Sequence, residues 1–178
     1  MVGRAARLAA LLTVAGCAPA PAPVSLPSLE IIRPFGGRHT GLDIRAPVGT
    51  PVLAAADGDV QLVLERPRAG RMVVLGHTAD LATVYMHLSD ISVRVGQTVR
   101  RGTPVGRSGS TGNATTPHLH LGVCRRPAGR CRTGRGGGWD DPAGHWVAGD
   151  ACFDARRDYT DARHRLTYPL PCRASAGA

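Results

Sequence analysis

The amino-acid sequence predicts an all-β fold, built as an antiparallel sheet or sandwich. Short apolar runs rich in β-branched residues recur about every dozen residues, and turns that contain Gly or Pro separate them. No long segment carries the apolar period of an amphipathic helix. With 178 residues the chain is long enough for one domain with its own hydrophobic core.

The predicted strands run through the middle of the chain. An Asp57-Gly58 turn separates the first two, and the last strand is entered from a turn rich in Gly and Pro. The predicted strands span residues 52–56, 59–64, 72–77, 81–87, 91–95 and 119–123. A basic, glycine-rich loop and a tail with several aromatic residues follow. We therefore expect a core at 31–123 and an extension at 124–178 that packs back on this core under disulfide restraint.

The N-terminus has the layout of a bacterial export signal. Arg4 and Arg7 precede a short apolar stretch at 8–14, which is too short to span a membrane. Val14-Ala15-Gly16-Cys17 resembles a lipobox, in which the cysteine is lipidated and becomes the first mature residue. A plain signal peptide that is cleaved slightly later is the alternative. The favoured division is a signal peptide at 1–16 and a stiff, lipid-anchored Pro-rich tether at 17–30, with Cys17 as the lipidated residue.

The cysteines fit this compartment. Cys124, Cys131, Cys152 and Cys172 remain once the N-terminal cysteine is set aside, and four cysteines in an exported chain suggest two disulfides. Of the three possible pairings we favour Cys124–Cys131 with Cys152–Cys172, which closes the shortest loops. A zinc site made of all four cysteines is the competitor, but no CxxC spacing supports it. We expect an exported protein, anchored by lipid to the bacterial cell envelope, on the periplasmic side if the host is Gram-negative.

The charge balance favours an anionic partner. The formal net charge is +9, and all 22 basic residues are arginine. Nucleic acid, anionic lipid and an acidic cell-wall polymer are the candidate classes. The arginines are scattered and only 4% of residues are aromatic, so the chain lacks a stacking platform for bases. We expect no nucleic-acid partner.

Two histidines flank Leu119 in the last predicted strand. Alternate strand residues share a face, so His118 and His120 project to one side while Leu119 and Leu121 project to the other. Two imidazoles with no carboxylate beside them in sequence are costly to bury unless something binds them. A metal ion is the favoured ligand, and a pair of exposed strand histidines is the alternative.

A second candidate segment is His39-Thr40-Gly41-Leu42-Asp43. Glycines and a proline around it disfavour a helix, so we expect extended chain with His39 and Asp43 on one face. With His120 they make a set of two histidines and one aspartate. Three protein ligands leave the fourth tetrahedral position open, which is typical of catalytic zinc. For His39 and Asp43 alone, a turn with an Asx-type hydrogen bond is the alternative.

A hydrolytic zinc site also requires a group that accepts a proton. The chain has two glutamates, Glu30 and Glu65, and no HExxH motif, so the helical metalloprotease design is excluded. Histidine is the available base, because its reference pKa of about 6.5 suits proton transfer near neutrality. Either His87 or His118 could serve if their strands are neighbours. His77 is expected to be a surface or hydrogen-bonded histidine outside the site.

These segments carry a resemblance to a known family. Residues 37–52, which begin Gly37-Arg38-His39-Thr40-Gly41-Leu42-Asp43, resemble the opening motif of the lysostaphin/LytM-type zinc metallopeptidases. Pro117-His118-Leu119-His120 resembles the closing motif. Between them the match continues in order at residues 54–58, 85–88, 95–99 and 109–112. The resemblance covers approximately residues 31–123.

The resemblance implies a β-sheet metallopeptidase that hydrolyses peptide bonds in peptidoglycan cross-links or stems. It implies that His39, Asp43 and His120 hold Zn²⁺, and that His87 and His118 assist the attacking water and the transition state. We expect a monomer. Asp141-Pro142 comes later than the corresponding ending in the family, behind the basic loop, so substrate preference does not follow from the resemblance.

Two other functions remain open. One is a catalytically silent family member that binds the wall and regulates or activates another peptidoglycan hydrolase. The other is a secreted peptidase that acts on free proteins such as glycine-rich segments. All five key positions are occupied, which favours an active enzyme, and the lipobox-like cysteine disfavours the free secreted peptidase.

Overall fold

The computed structural model describes residues 30–125, 138–147, 152–160 and 165–172. Within these ranges the fold is all-β, as predicted, with every strand pair antiparallel and a single short 3₁₀ helix at Pro142–His145. The strands are β1 (Ile31–Arg33), β2 (Leu42–Arg45), β3 (Pro51–Leu53), β4 (Gly58–Arg66), β5 (Gly70–Gly76), β6 (Leu81–Leu88), β7 (Asp90–Ile91), β8 (Thr98–Val99), β9 (Pro104–Arg107), β10 (His118–Arg125) and β11 (Trp139–Asp140).

The strands form two sheets over one core. The larger sheet has the order β1-β2-β10-β6-β5-β4-β8, with β11 paired to β10, and the smaller has the order β3-β9-β7. Val52 of β3 and Val105 of β9 lie in the same hydrophobic cluster as Tyr85 of β6 and Leu121 of β10. The two sheets therefore share a core, which is the sandwich arrangement that alternating strands favour.

Strand β10 lies inside the larger sheet, between β2 and β6. Leu119, Leu121 and Val123 are fully buried in the hydrophobic clusters, as the alternation along the strand predicts. The two histidines of this strand take the opposite phase. Strand β10 therefore has one buried apolar face and one buried polar face, and the polar face carries His118 and His120.

Two predicted strands are shorter than the apolar runs indicated. The run at 52–56 leaves the ladder after Leu53, because the Ala54 amide donates to Thr103 and the Ala54 carbonyl accepts from Gly102, both in a loop. Of the run at 91–95, only Ile91 lies in a strand, which is β7. The residues that follow lead into a turn at 94–97, in which the Gln97 amide donates to the Arg94 carbonyl and Gly96 has a positive φ of 82°.

The described part of the extension contributes to the core. Tyr168 and Leu170 belong to the main hydrophobic cluster, and the Thr167 amide donates to the Ala55 carbonyl at 2.8 Å. The predicted disulfide between Cys152 and Cys172 is present.

The rest of the predicted organisation is only partly within the described residues. Cys124 is disulfide-bonded, but Cys131 lies outside those residues, so the Cys124–Cys131 pairing stays a prediction. The signal peptide, Cys17 and the tether up to residue 29 also lie outside them, and the four-segment division stays a prediction. Among the residues that can be described, none belongs to a helix long and apolar enough to cross a membrane.

Candidate metal centre

The sheet order brings the two histidine-containing segments of the sequence together. In the β2–β10 pair Asp43 lies directly opposite His120, and on the other side of β10 His120 faces Met86 of β6. Residues that face each other across antiparallel strands project to the same side of the sheet. The five predicted side chains are all buried, with 9% or less of each residue exposed: His39, Asp43, His87, His118 and His120.

His39 reaches this face from a turn rather than from extended chain. Gly36 and His39 exchange two backbone hydrogen bonds that close a tight turn, and β2 begins only at Leu42. Gly36 and Gly37 have positive φ angles of 136° and 58°, which this turn requires. The chain also bends at Gly41, so the expected extended chain is present only at Leu42 and Asp43, although the side chains of His39 and Asp43 do meet.

Three donor atoms converge at the centre of the site. His39 Nε2 lies 3.0 Å from Asp43 Oδ1, His120 Nδ1 lies 2.8 Å from the same oxygen, and the two nitrogens are 3.1 Å apart. These three residues form a buried group that could hold a metal ion. Two imidazole nitrogens and one carboxylate oxygen are a donor set that zinc accepts. The residues present therefore fit a zinc ion.

The outer contact of His39 supports the same interpretation. The His39 Nδ1–H donates to the Pro34 carbonyl at 2.7 Å, so the other ring nitrogen, Nε2, is the one that faces Asp43. Such a bond from the second ring nitrogen to a carbonyl is common in metal-ligating histidines. Among the described residues, the buried His120 Nε2 has no hydrogen-bond partner, so the hydrogen bonds that orient this ring are those of Nδ1 within the cluster.

The electrostatics favour an anionic Asp43 beside a neutral His120. Burial alone would raise the pKa of Asp43, but hydrogen bonds with His120 and His39 outweigh it and hold this pKa well below its usual range. Burial lowers the pKa of His120, although its hydrogen bond to Asp43 opposes this. A neutral imidazole and an ionised carboxylate are the protonation states that a metal ion requires of its ligands.

His118 lies at the edge of this group. Its Nδ1–H donates to the Thr116 carbonyl at 2.7 Å, and its Nε2 lies 3.5 Å from Asp43 Oδ1. This Nε2 therefore faces the site from the same strand as His120.

His87 reaches the site through an irregularity in β6. Val73 of β5 pairs with Tyr85, and Arg71 pairs with Leu88, so two residues of β6 oppose one of β5. His87 takes a left-handed backbone, with φ of 65°, which re-aims its side chain. Its ring centre lies 4.7 Å from that of His118 and 6.1 Å from that of His120.

The protonation of His87 follows from its surroundings. Burial lowers its pKa, and its Nδ1–H donates to the Thr111 carbonyl at 2.8 Å. The ring is thus neutral near pH 7, with a lone pair on Nε2. This is the state of a proton acceptor.

Sequence reasoning missed the residues that hold these rings. The carbonyls of Pro34, Thr111 and Thr116 fix three imidazoles, and a backbone acceptor leaves no residue-type signal in a sequence. His77 lies outside the site, as expected, with its ring hydrogen-bonded to the Asp57 carbonyl and to Thr83 Oγ1.

Known proteins are similar to this chain over part of their length. The chain is 48% identical over 82 residues to the peptidoglycan DD-endopeptidase ShyA of Vibrio cholerae, a segment that covers 46% of this chain and 19% of that protein. A zinc-containing peptidase from Vibrio cholerae is 36% identical in structure-based comparison, with a TM-score of 0.55 over 58% of this chain and 36% of the other. The match thus spans about a fifth of the first relative and about a third of the second.

The catalytic domain of lysostaphin from Staphylococcus simulans is covered more fully. Its TM-score is 0.59 at 28% identity, over 65% of this chain and 90% of that domain. The model of peptidase family M23 matches residues 37–131, which is just over half of the chain and includes all five site residues. The resemblance stated from the sequence is confirmed, and the chain belongs to peptidase family M23.

Proposed function

We propose that this chain is a zinc-dependent endopeptidase that hydrolyses peptide bonds in peptidoglycan cross-links or stems. The observation that carries the proposal is the convergence of His39 Nε2, Asp43 Oδ1 and His120 Nδ1 within 3.1 Å of one another. Two more imidazoles stand beside this group. A site that only bound a structural ion would not need them.

His39, Asp43 and His120 would hold the zinc ion. When bound, zinc supplies Lewis acidity, which lowers the pKa of water and polarises a peptide carbonyl. The Asp43 carboxylate offsets one of the two positive charges, while the two neutral histidines offset none. The Pro34 carbonyl orients His39 for this role through its Nδ1–H.

His87 and His118 would move the protons of hydrolysis. Each has its Nδ1–H committed to a backbone carbonyl, so each presents an Nε2 lone pair. One of these nitrogens accepts a proton as a water oxygen attacks the peptide carbon. As the carbon–nitrogen bond breaks, a proton passes to the leaving amine, and the carboxylic acid product forms. The other imidazole, once it carries a proton on Nε2 as well, donates that N–H to the carbonyl oxygen and stabilises the charge that develops there.

The substrate class is inferred from the relatives. ShyA carries the name of a peptidoglycan DD-endopeptidase, and the protein from Neisseria meningitidis named DD-carboxypeptidase/endopeptidase Mpg is 42% identical over 101 residues. The net charge of +9 suits an anionic wall polymer. We propose peptidoglycan as the substrate, a monomeric enzyme, and an exported, lipid-anchored location that rests on the lipobox-like sequence ending at Cys17.

A digest of purified peptidoglycan tests the proposal. The mature chain should release soluble peptide-linked fragments, a chelator should abolish the release, and added Zn²⁺ should restore it. A catalytically silent regulator would bind the sacculus and release nothing, whatever the metal content. Binding without release by the zinc-loaded protein would therefore overturn the enzymatic function.

A further inference from the structure

His87 depends on another part of the chain for its orientation. Its backbone is in the left-handed region, which is costly for a residue with a side chain and persists only where the surroundings enforce it. The residues that surround it come from the 109–113 loop, which runs from β9 towards β10, and from the 67–69 turn between β4 and β5.

Thr111 in the 109–113 loop makes three hydrogen bonds around His87. Its carbonyl accepts from the His87 Nδ1–H at 2.8 Å. Its hydroxyl donates to the Leu88 carbonyl at 2.8 Å and accepts from the Arg71 amide at 3.1 Å. The Thr111 carbonyl thus orients the His87 ring, while the Thr111 hydroxyl holds this residue against β5 and β6.

The 67–69 turn closes the same arrangement from the other side. The His87 amide donates to the Ala69 carbonyl, and the Asn113 amide donates to the Arg68 carbonyl, both at 2.9 Å. The two segments pack closely, since a Cβ built on Gly70 would lie 2.2 Å from Thr111 Oγ1. A shift of the loop would consequently move the acceptor of the His87 ring.

We propose that Thr111 is a positioning residue for His87, an inference that rests on the proposed function. Its hydroxyl fixes the 109–113 loop against β5 and β6, and its carbonyl thereby keeps the proton on Nδ1 and the lone pair on Nε2. Thr111 itself contacts none of the three ligand candidates through a described hydrogen bond. Loss of the hydroxyl should therefore impair proton transfer without removing zinc.

The test compares Thr111→Val, which keeps the shape but lacks the hydroxyl, with Thr111→Ser, which keeps the hydroxyl. Thr98→Val is the matched control, because its hydroxyl donates to Asp59 at the far edge of the sheet. Thr111→Val should lower kcat by at least about tenfold, since small displacements of a catalytic group can cost about 10²-fold. KM and zinc content should stay unchanged. Thr111→Ser should recover most of the rate, and Thr98→Val should lose none.

The second readout is the His87 side chain in ¹⁵N-labelled, zinc-loaded protein. In the wild type the His87 Nδ1–H proton should exchange slowly with solvent and give a clear resonance. The intensity of this resonance should fall in Thr111→Val and recover in Thr111→Ser. A Val variant with wild-type kcat and an unchanged resonance would overturn the proposal. So would a Ser variant as impaired as the Val variant, since the methyl group would then be the critical part. If the wild type cleaves nothing, the proposed function fails, while the resonance still tests the link between Thr111 and His87.

Discussion

His120 of β10 lies directly opposite Asp43 of β2, and its Nδ1 lies 2.8 Å from Asp43 Oδ1. The two residues are 77 positions apart in sequence, so only the pairing of β2 with β10 brings them together. His39 joins them from the turn that precedes β2. The metal centre is therefore a consequence of strand register, and a one-residue slip would send one partner to the other face of the sheet.

Removal of a ligand candidate should remove zinc. Asp43→Asn keeps the shape of the side chain but removes the charge that balances the metal, so zinc content and wall cleavage should fall together. Alanine at His39 or His120 should act in the same way. Metal analysis beside the rate of fragment release measures both. Asp90→Asn is the matched control at an exposed position of β7, and it should retain zinc and activity.

Removal of a proton-transfer candidate should leave zinc in place. His87→Ala and His118→Ala should keep stoichiometric zinc and lower kcat by about 10²–10⁴-fold, the range typical of a lost general base. His77→Ala is the control histidine and should change neither quantity. Loss of zinc in His118→Ala with zinc retained in His120→Ala would mean that the roles of the two β10 histidines are reversed.

The proposed lipid anchor can be tested by the cellular fraction in which the protein is found. If Cys17 is lipidated, Cys17→Ala should transfer the protein from the membrane fraction to the soluble exported fraction. Immunoblots of fractionated cells measure the change. Membrane association that persists in the variant would contradict lipidation.

The ligand candidates could be found in the sequence because two local rules acted together. The period of two in a strand placed His118 and His120 on the face opposite Leu119, and the glycines around His39 excluded a helix. The structure departs from the expected extended chain at the bend at Gly41, but the turn that ends at His39 still brings its ring to the Asp43 carboxylate.

The support of the site could not be predicted, because it depends on contacts between distant backbone segments. The bulge at His87 arises where β6 has one residue more than β5 between paired positions, and no residue type signals it. Burial of Tyr168 in the main core has the same origin. The Leu53 amide donates to the carbonyl of the neighbouring Pro169, a contact between distant segments that no periodicity in the sequence indicates.

The Cys152–Cys172 bridge should stabilise the extension and, through it, the core. It joins residues 20 positions apart, beside Leu170 in the main hydrophobic cluster. Replacing both cysteines by alanine should lower the free energy of unfolding by about 2–4 kcal/mol, because the unfolded chain regains freedom. Urea denaturation measures the change, and zinc content serves as the control because no ligand candidate lies in the extension. An unchanged midpoint would contradict a stabilising role.

Gly41 should be irreplaceable beside the metal centre. A Cβ built on it would lie 2.2 Å from the Leu121 carbonyl oxygen and 2.8 Å from His120 Nε2. Gly41→Ala must therefore push β10 away or rotate the His120 ring, and overpacking of this kind typically costs about 1–3 kcal/mol. We expect weaker zinc binding and a lower midpoint of unfolding, measured by metal titration and by denaturation of the metal-free protein.

Gly144→Ala is the matched control, because a Cβ at that position meets nothing within 4 Å. It should bind zinc and unfold as the wild type does. The comparison separates two effects of Gly41→Ala. If zinc affinity falls by more than the loss of stability explains, the methyl group disturbs the ligand ring, as its closeness to His120 Nε2 predicts. A Gly41→Ala protein with wild-type affinity and stability would contradict the described packing of the centre of the sheet.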